Sequence, residues 1–501
     1  MTSVQNLLQQ LNGNKLIIFF AIVSFSLSAC DAFKKAQSDD PVVKDDKENL
    51  PEVKGNTVYD PETGTYTHST NVTEELDTVK WKVNPQDDKP PITSDATKDQ
   101  MGSPLNPVIV APVVTGISQK LDIYNVALML PFLSDRSNNG IDVDDRSKPA
   151  LQFYGGVKLA LEVLSGEGVK LNVTVHDTKG LEAVTQSLMN SRELKTANLI
   201  VGPTLKNNIK VAAEMAKNMG VPLVSPLSPS SNVAHDNPFF IQVSPYLSSH
   251  CQAITKHARE RYNADQIVLV VRNKRAEISR LKYFQESNQA FEGTDKVARL
   301  TEFIVTDESP DFNKMDVSPY LADGDTTVFI IPSWSNESFI YSFLRKIQVA
   351  KQEAKTKNGG FECEVVVYGM PQWMNYERIS YDYYEQLNVH ISSSSYIDQT
   401  SEDVKKFRQD YYDKYGTIPG LEAFIGYDVM LYFGRMLDKH GTYFQDRLDI
   451  EPAVYLHTKF EIVRQVPLSA VLEEDYSKTN LFENKYVNIL KFEDYYFQLD
   501  E

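Results

Sequence analysis

Cysteine is scarce: the 501 residues hold only Cys30, Cys251 and Cys363. That excludes a disulfide-stapled scaffold. Cys30 belongs to a targeting motif, which leaves Cys251 either paired with Cys363 or, as is commoner for such residues, both as buried thiols. Positive charge is in deficit, with 51 Lys and Arg against 68 Asp and Glu, a net charge of −17. Such a balance argues against nucleic acid or an anionic membrane surface as partner. No Cys-x-x-Cys, His-Glu-x-x-His, phosphate-loop or Gly-x-Ser-x-Gly pattern occurs. No nucleophile–base or metal set stands out either, so no cofactor is expected and an enzyme is the least supported reading. Beyond the first thirty residues no apolar run approaches the ~20 residues of a membrane span, and the rest is expected to be soluble. What is present is an ordinary globular balance, 42% apolar and 24% charged, at a length suited to roughly two to four domains.

The amino end is read as targeting sequence, residues 1–29. Lys15 precedes an apolar run from Leu16 that ends in Leu27-Ser28-Ala29-Cys30. This tetrapeptide resembles the bacterial lipoprotein cleavage box. The resemblance implies cleavage before Cys30 and lipid on its thiol, and two or more acyl chains anchor a protein stably. Residues 30–118 are rich in Asp, Lys, Glu, Pro and Thr and are expected to form a disordered, low-complexity tether. Within it, Thr78–Val83 alternates like one short strand, and Pro104–Pro112 suggests an extended arm.

Residues 119–501 read as a globular domain in which strands and helices alternate. The pattern is clearest from Leu199 to Asn232. Leu199-Ile200-Val201 is a short buried strand stopped by Gly202-Pro203. Ile209, Ala212, Ala213, Ala216 and Met219 then recur at helical spacing, and Gly220 stands where a helix C-cap glycine belongs. A second strand runs into Ser225-Pro226. Such units build a parallel sheet whose ligands bind beyond the carboxyl ends of the strands. Strands or extended segments are expected near 125–132, 171–175, 237–245, 266–271, 301–305, 327–331, 364–369 and 486–492. Helices are expected near 150–164, 181–194, 248–262, 338–350, 401–415 and 421–439, with Gly155-Gly156 allowing close packing. His390–Tyr396 reads as a connector. Two such runs of alternating elements imply two similar lobes.

The order of these elements resembles the type I periplasmic solute-binding proteins, the branched-chain amino-acid receptor group of ABC importers. Val126–Phe132, Asp177-Thr178, Val201-Gly202-Pro203 with Val221–Pro226, Phe239–Pro245, and Gly426-Tyr427-Asp428 carry the resemblance. It implies an α/β fold of two Rossmann-like lobes with parallel sheets, joined by three crossovers and closing on a ligand by hinge bending. Lobe one would be about 120–243 with 391–455, and lobe two about 246–389 with 456–501. An ABC permease is the implied partner. The Val-Gly-Pro turn followed by Lys-Asn-Asn is similar also to the C-terminal domain of a lipoprotein that activates penicillin-binding proteins, which implies contact with a cell-wall synthase instead.

The implied ligand contacts are Thr204, Lys206, Asn207, Ser228 and Ser230 in lobe one, and Tyr246, Gln372 and Trp373 in lobe two. In amino-acid binders of this family the position of Lys206 supplies a hydroxyl, and that of Pro229 a threonine. These departures point away from an α-amino acid and toward a small polar or anionic solute. His250 and His257 could share a helix face as metal ligands, but no fourth ligand is suggested. Asp135-x-Ser137-x-Asn139-Gly140 resembles half a calcium loop, with Arg146 where the closing Glu belongs. Trp334, Trp373 and Tyr246 are left between cleft wall and core.

Overall fold

The computed structural model describes residues 56–60, 65–69, 118–136, 143–230, 233–292, 298–307, 309, 312–321, 324–357, 363–466 and 480–500. The chain divides into two units, residues 1–56 with 69–73, and residues 57–68 with 74–501; the second holds both lobes. Strands β1 (Asn56–Asp60) and β2 (Thr65–Ser69) pair with each other within the expected tether. The leader, Cys30, Thr78–Val83 and Pro104–Pro112 lie outside the described residues.

The first lobe opens with β3 (Tyr124–Leu130), α1 (Lys148–Gly166), β4 (Leu171–Asp177), α2 (Glu182–Met189), α3 (Arg192–Lys195) and β5 (Leu199–Val201). It continues with α4 (Lys206–Met219), β6 (Leu223–Ser225) and β7 (Phe240–Gln242). The second lobe comes next, with α5 (Leu247–Arg259), β8 (Ile267–Arg272), α6 (Arg275–Ile278), α7 (Leu281–Glu292), β9 (Thr301–Val305) and β10 (Thr326–Ile330). Then come α8 (Glu337–Lys357), β11 (Glu364–Gly369), α9 (Tyr381–Gln386) and β12 (Val389–Ser393). The chain returns to lobe one through α10 (Glu402–Tyr415), α11 (Leu421–His440), β13 (Ala453–Val454), β14 (Lys459–Phe460), β15 (Ile462–Gln465) and β16 (Leu481–Asn484). It ends in lobe two with β17 (Asn488–Glu493) and β18 (Tyr496–Leu499).

Each lobe is built on a seven-stranded sheet, in the orders β15-β16-β7-β6-β5-β3-β4 and β18-β17-β12-β11-β10-β8-β9. The strands from β3 to β7 are mutually parallel, as are those from β8 to β12; antiparallel β15, β17 and β18 make both sheets mixed. The topology corrects two expectations. Val389–Ser393 is a buried strand and not a connector. The tail assigned whole to lobe two divides, because β16 lies parallel beside β7 in the first sheet.

Three crossovers therefore join the lobes, after β7, after β12 and after β16. All leave the carboxyl end of a parallel strand, and β17 starts beside the carboxyl end of β12, with Asn488 opposite Ser393. The carboxyl edges of the two sheets consequently face each other.

Local chemistry sets these elements. Gly220 caps α4 at φ 66°, the left-handed conformation its position calls for. Gly202, at φ 89°, lies so close to Met129 that a Cβ would overlap the Met129 carbonyl oxygen. Helices α1 and α11 cross with their backbones touching: a Cβ on Gly156 would overlap the Ala423 carbonyl oxygen, and one on Gly426 the Phe153 carbonyl oxygen. Around this crossing α11 buries nearly all its faces, from Ala423 to Leu437, so it serves as the core helix of lobe one. Cys251 and Cys363 are both buried and not bonded to each other. Among the described residues no helix is long and apolar enough to cross a membrane.

Candidate functional site

The facing edges bring several turns toward one crevice. In lobe one the turn after β3 is fixed by Asp177, at the end of β4. Its carboxylate accepts from Leu133 N–H at 3.2 Å, Lys179 N–H at 2.8 Å and Ser134 N–H and hydroxyl at 2.8 and 2.7 Å. Burial works against the charged form, yet these hydrogen bonds outweigh it and hold the Asp177 carboxyl below its usual range. The acidic turn is thus spent on positioning its neighbours.

Thr204, Lys206 and Asn207 come together on the next turn. Lys206 is the first residue of α4, and Leu205 supplies no side-chain cap. The first N–H groups of the helix are left for solvent or a ligand. They open on a cavity of about 420 Å³ lined by Gly180, Glu182, Leu205, Lys206 and Asn207. Asn208 lies beneath, its amide donating to Thr185 at 2.7 Å.

Ser228 and Ser230 sit on the turn after the neighbouring strand, β6. Ser228 is buried, and its carbonyl accepts from the Gln242 amide, which donates also to the Ser244 carbonyl at 2.9 Å. Gln242 thereby ties this turn to the first crossover. With both amide hydrogens committed, the buried Gln242 Oε1 has no partner among the described residues, nor does the adjacent Ser225 hydroxyl.

Tyr246 precedes α5 and is buried; its hydroxyl has no hydrogen-bond partner among the described residues, and burial, then the nearby Glu483, makes it a weaker acid than usual. Trp373, named among the ligand contacts and left open between cleft wall and core, lies in the core: it is fully buried, its indole donates to the Ser333 carbonyl at 3.2 Å, and it stacks on Tyr384. Gln372 is half-buried and lines a second, larger cavity of about 2020 Å³, away from Lys206 and Asn207.

The histidines separate. His250 packs edge-on to Trp334, and burial pushes it down to about 4, so it is neutral at pH 7. His257 meets Tyr368 and Asp500 at 2.8 and 3.1 Å. Among the described residues no cluster could hold a metal ion. Arg146 pairs with Asp144 at 2.5 Å and, with its hydrogen bonds the largest cause, holds that carboxyl down at about 2.

Two groups at the crossovers have no role in the sequence reading, although Asp428 of the second stands in the Gly426-Tyr427-Asp428 motif. Glu483, almost wholly buried at the end of β16, accepts from Tyr246 N–H at 3.0 Å and from Ser249 Oγ at 2.6 Å, at the positive end of α5. Lys485 pairs with Glu483 at 2.6 Å and donates to Ser249 at 3.0 Å. This clamp fastens the first crossover to the third. The second is held by Asp428 of α11, which accepts from His457 N–H at 2.8 Å and meets His457 Nδ1 at 2.5 Å. The His457 carbonyl accepts from Tyr396 N–H at 2.8 Å, and Thr458 donates to the Ser394 carbonyl at 3.0 Å. One sign was available for the first: Glu483 is a lone charge inside an apolar strand.

Residues 154–352 match the family model described as the receptor family ligand binding region. Among solved structures, the chain is similar to a putative branched-chain amino acid ABC transporter from Rhodospirillum rubrum. The identity is 12% over 75% of this chain and all of that one, with a TM-score of 0.53. It is similar also to an ABC transporter substrate-binding protein from Desulfitobacterium hafniense in complex with Leu (14%, 75% and 100%, TM-score 0.48). A further similarity is to LpoA from Haemophilus influenzae (13%, 76% and 59%, TM-score 0.46). No curated protein matches the chain. At such identities likeness speaks to fold alone, and the Rhodospirillum rubrum structure shows it: this is the two-lobed type I periplasmic-binding fold.

Proposed function

We propose that this two-lobed chain is a lipid-anchored extracytoplasmic binding protein, without enzymatic activity, whose lobes close on a small anionic solute for import or sensing. The observation that carries the reading is the uncapped start of α4 with Lys206 at its first position, opening on a cavity of about 420 Å³ lined by residues of lobe one. That volume falls within the roughly 300–1,000 Å³ of small-molecule sites. A helix N-terminus with a lysine favours an anion by dipole, N–H donors and charge together. Glu182, which lines the same cavity, disfavours a bare polyanion and favours a solute with one anionic end. A second reading, an envelope lipoprotein that binds and regulates a cell-wall synthesis protein, is favoured by the cavity of about 2020 Å³, too large for a solute.

The test is a thermal-shift screen against amino acids, peptides, sugars, muropeptides and small carboxylates, followed by calorimetry on the best hit. A true ligand at 100 times its Kd should stabilise by about 2.7 kcal/mol. Lys206→Ala should then weaken binding by about 1.5–3 kcal/mol, roughly ten- to a hundredfold, with less effect at high salt. Because Lys206 is exposed, the melting temperature should not move. An unchanged affinity removes Lys206 from the site, and a screen without hits removes the solute reading.

Anchoring has its own test. Cys30→Ala should move the protein from the detergent phase to the aqueous phase in detergent partitioning. A mutant that stays with the detergent rules out lipid on Cys30.

A further inference from the structure

The cavity of about 2020 Å³ runs between α10 and α11 of lobe one and the final hairpin of lobe two. One wall is β18, the outermost strand of the second sheet. Its hairpin turns over Asp494 and Tyr495, at φ 53° and 66°, the two-residue loop that matches strand twist and fixes register. Glu493 lies opposite Tyr496 and Lys491 opposite Gln498, while Asp500 N–H donates to the Ile489 carbonyl at 3.1 Å. Hydrogen-bonded pairs alternate along an antiparallel ladder, so Tyr496, Gln498 and Asp500 bond inward to β17. The backbone N–H and C=O groups of Phe497 and Leu499 therefore face outward, away from β17, and all four residues of β18 line the cavity.

An exposed edge is ordinarily blunted by Lys, Pro or a bulge. The sequence Tyr-Phe-Gln-Leu has no charge and no proline, and Tyr496 and Leu499 are 55% and 41% exposed. Across the cavity Leu421 and Val454 are exposed as well. The charge on the walls is one-sided in effect. Lys406, Lys414 and Arg435 each face a carboxylate already, those of Asp410, Glu162 and Glu167. Asp403 and Asp413 have no ion pair among the described residues, and burial with the neighbouring Asp410 raises the Asp413 carboxyl above its usual range.

We propose that this groove takes an extended segment of another protein, apolar with interspersed Lys or Arg, which adds to β18 as a further strand. Main-chain hydrogen bonds to Phe497 and Leu499 supply affinity, and the apolar and acidic walls select the side chains. Ser393–Tyr396 line the same groove, so the docked strand touches the second crossover and both lobes. Occupancy and lobe angle are thereby linked. The inference is independent of the solute site at Lys206, and Lys206→Ala should leave it untouched.

The test is calorimetry of the full chain with a short peptide in which Lys and Val alternate. Leu499→Pro removes one outward N–H and leaves the inward bonds of Gln498 and Asp500 in place. It should weaken binding about tenfold or more at an unchanged melting temperature. If that variant fails to fold, the same peptide methylated on alternate backbone nitrogens, tested on the unaltered protein, should show the same loss. The proposal is overturned by peptide binding that ignores both changes, or by none at millimolar concentration. It is overturned too by self-association of the chain that Leu499→Pro abolishes, which makes a second copy the occupant. Peptide binding that appears only after deletion of residues 104–117 makes the chain's own arm the occupant and overturns it likewise.

Discussion

Asp428→Ala is expected to lower the unfolding free energy by about 3–5 kcal/mol, the range for removing one partner from a buried pair. Asp428 is fully buried in α11, and its carboxylate is held by the backbone N–H and the ring of His457. Hydrogen bonds to a charged group contribute about 1.5–3 kcal/mol each, and the alanine loses both while stranding the imidazole. The damage should spread, since the His457 loop is what holds Tyr396 and Ser394 of the second crossover. Urea unfolding measures the loss, and hydrogen exchange at Tyr396 N–H reports the crossover. A loss below about 1 kcal/mol, the value of one ordinary hydrogen bond, would mean that the pair does not anchor the hinge.

Gly156→Val should cost more than about 3 kcal/mol, beyond the usual 1–3 kcal/mol of overpacking. The overlap is with the Ala423 carbonyl oxygen, a backbone atom, and neither helix can retreat, because Gly426 sets the same contact from the other side. Relief would require α1 and α11 to separate and leave a void in the core of lobe one. Gly166→Ala, in the last turn of α1 where an added Cβ meets nothing within 4 Å, is the control. It should be neutral or stabilising by about 0.5–1 kcal/mol. Thermal melts of both variants decide the matter: equal stability would show that the crossing tolerates a side chain.

Hydrophobic periodicity makes the architecture legible. Leu199–Val201, Ile209–Ala216 and Gly220 lie in the strand, helix and cap expected of them, because each signal is local. Where partners are distant in sequence, legibility ends. Nothing near Leu481 indicates that β16 pairs with Phe240–Gln242, far earlier in the chain, so the sequence pattern puts the third crossover too early. Trp373 shows the same limit. An aromatic residue after a strand end suits a cleft wall or a core equally, and only packing against Ser333 and Tyr384 decides for the core. The turn carrying Lys206 is legible because a helix start exposes its own N–H groups whatever surrounds it. The Glu483–Ser249–Lys485 clamp is not, since it joins segments that are remote along the chain.

The last strands also bear on how the molecule is made. Residues 481–484 fill a place inside the first sheet, and 488–499 complete the second. Chains emerge from the ribosome or a translocation channel amino end first, and domains generally fold as they emerge. Here the first sheet is incomplete until residues 481–484 are free, and the second until 488–499 are. Until then both β7 and β12 keep an open edge toward strands not yet delivered, the condition under which chains pair wrongly with one another. Removing residues 481–499 would strip strands from both sheets at once, whereas removing 496–499 alone would strip only the edge of the second.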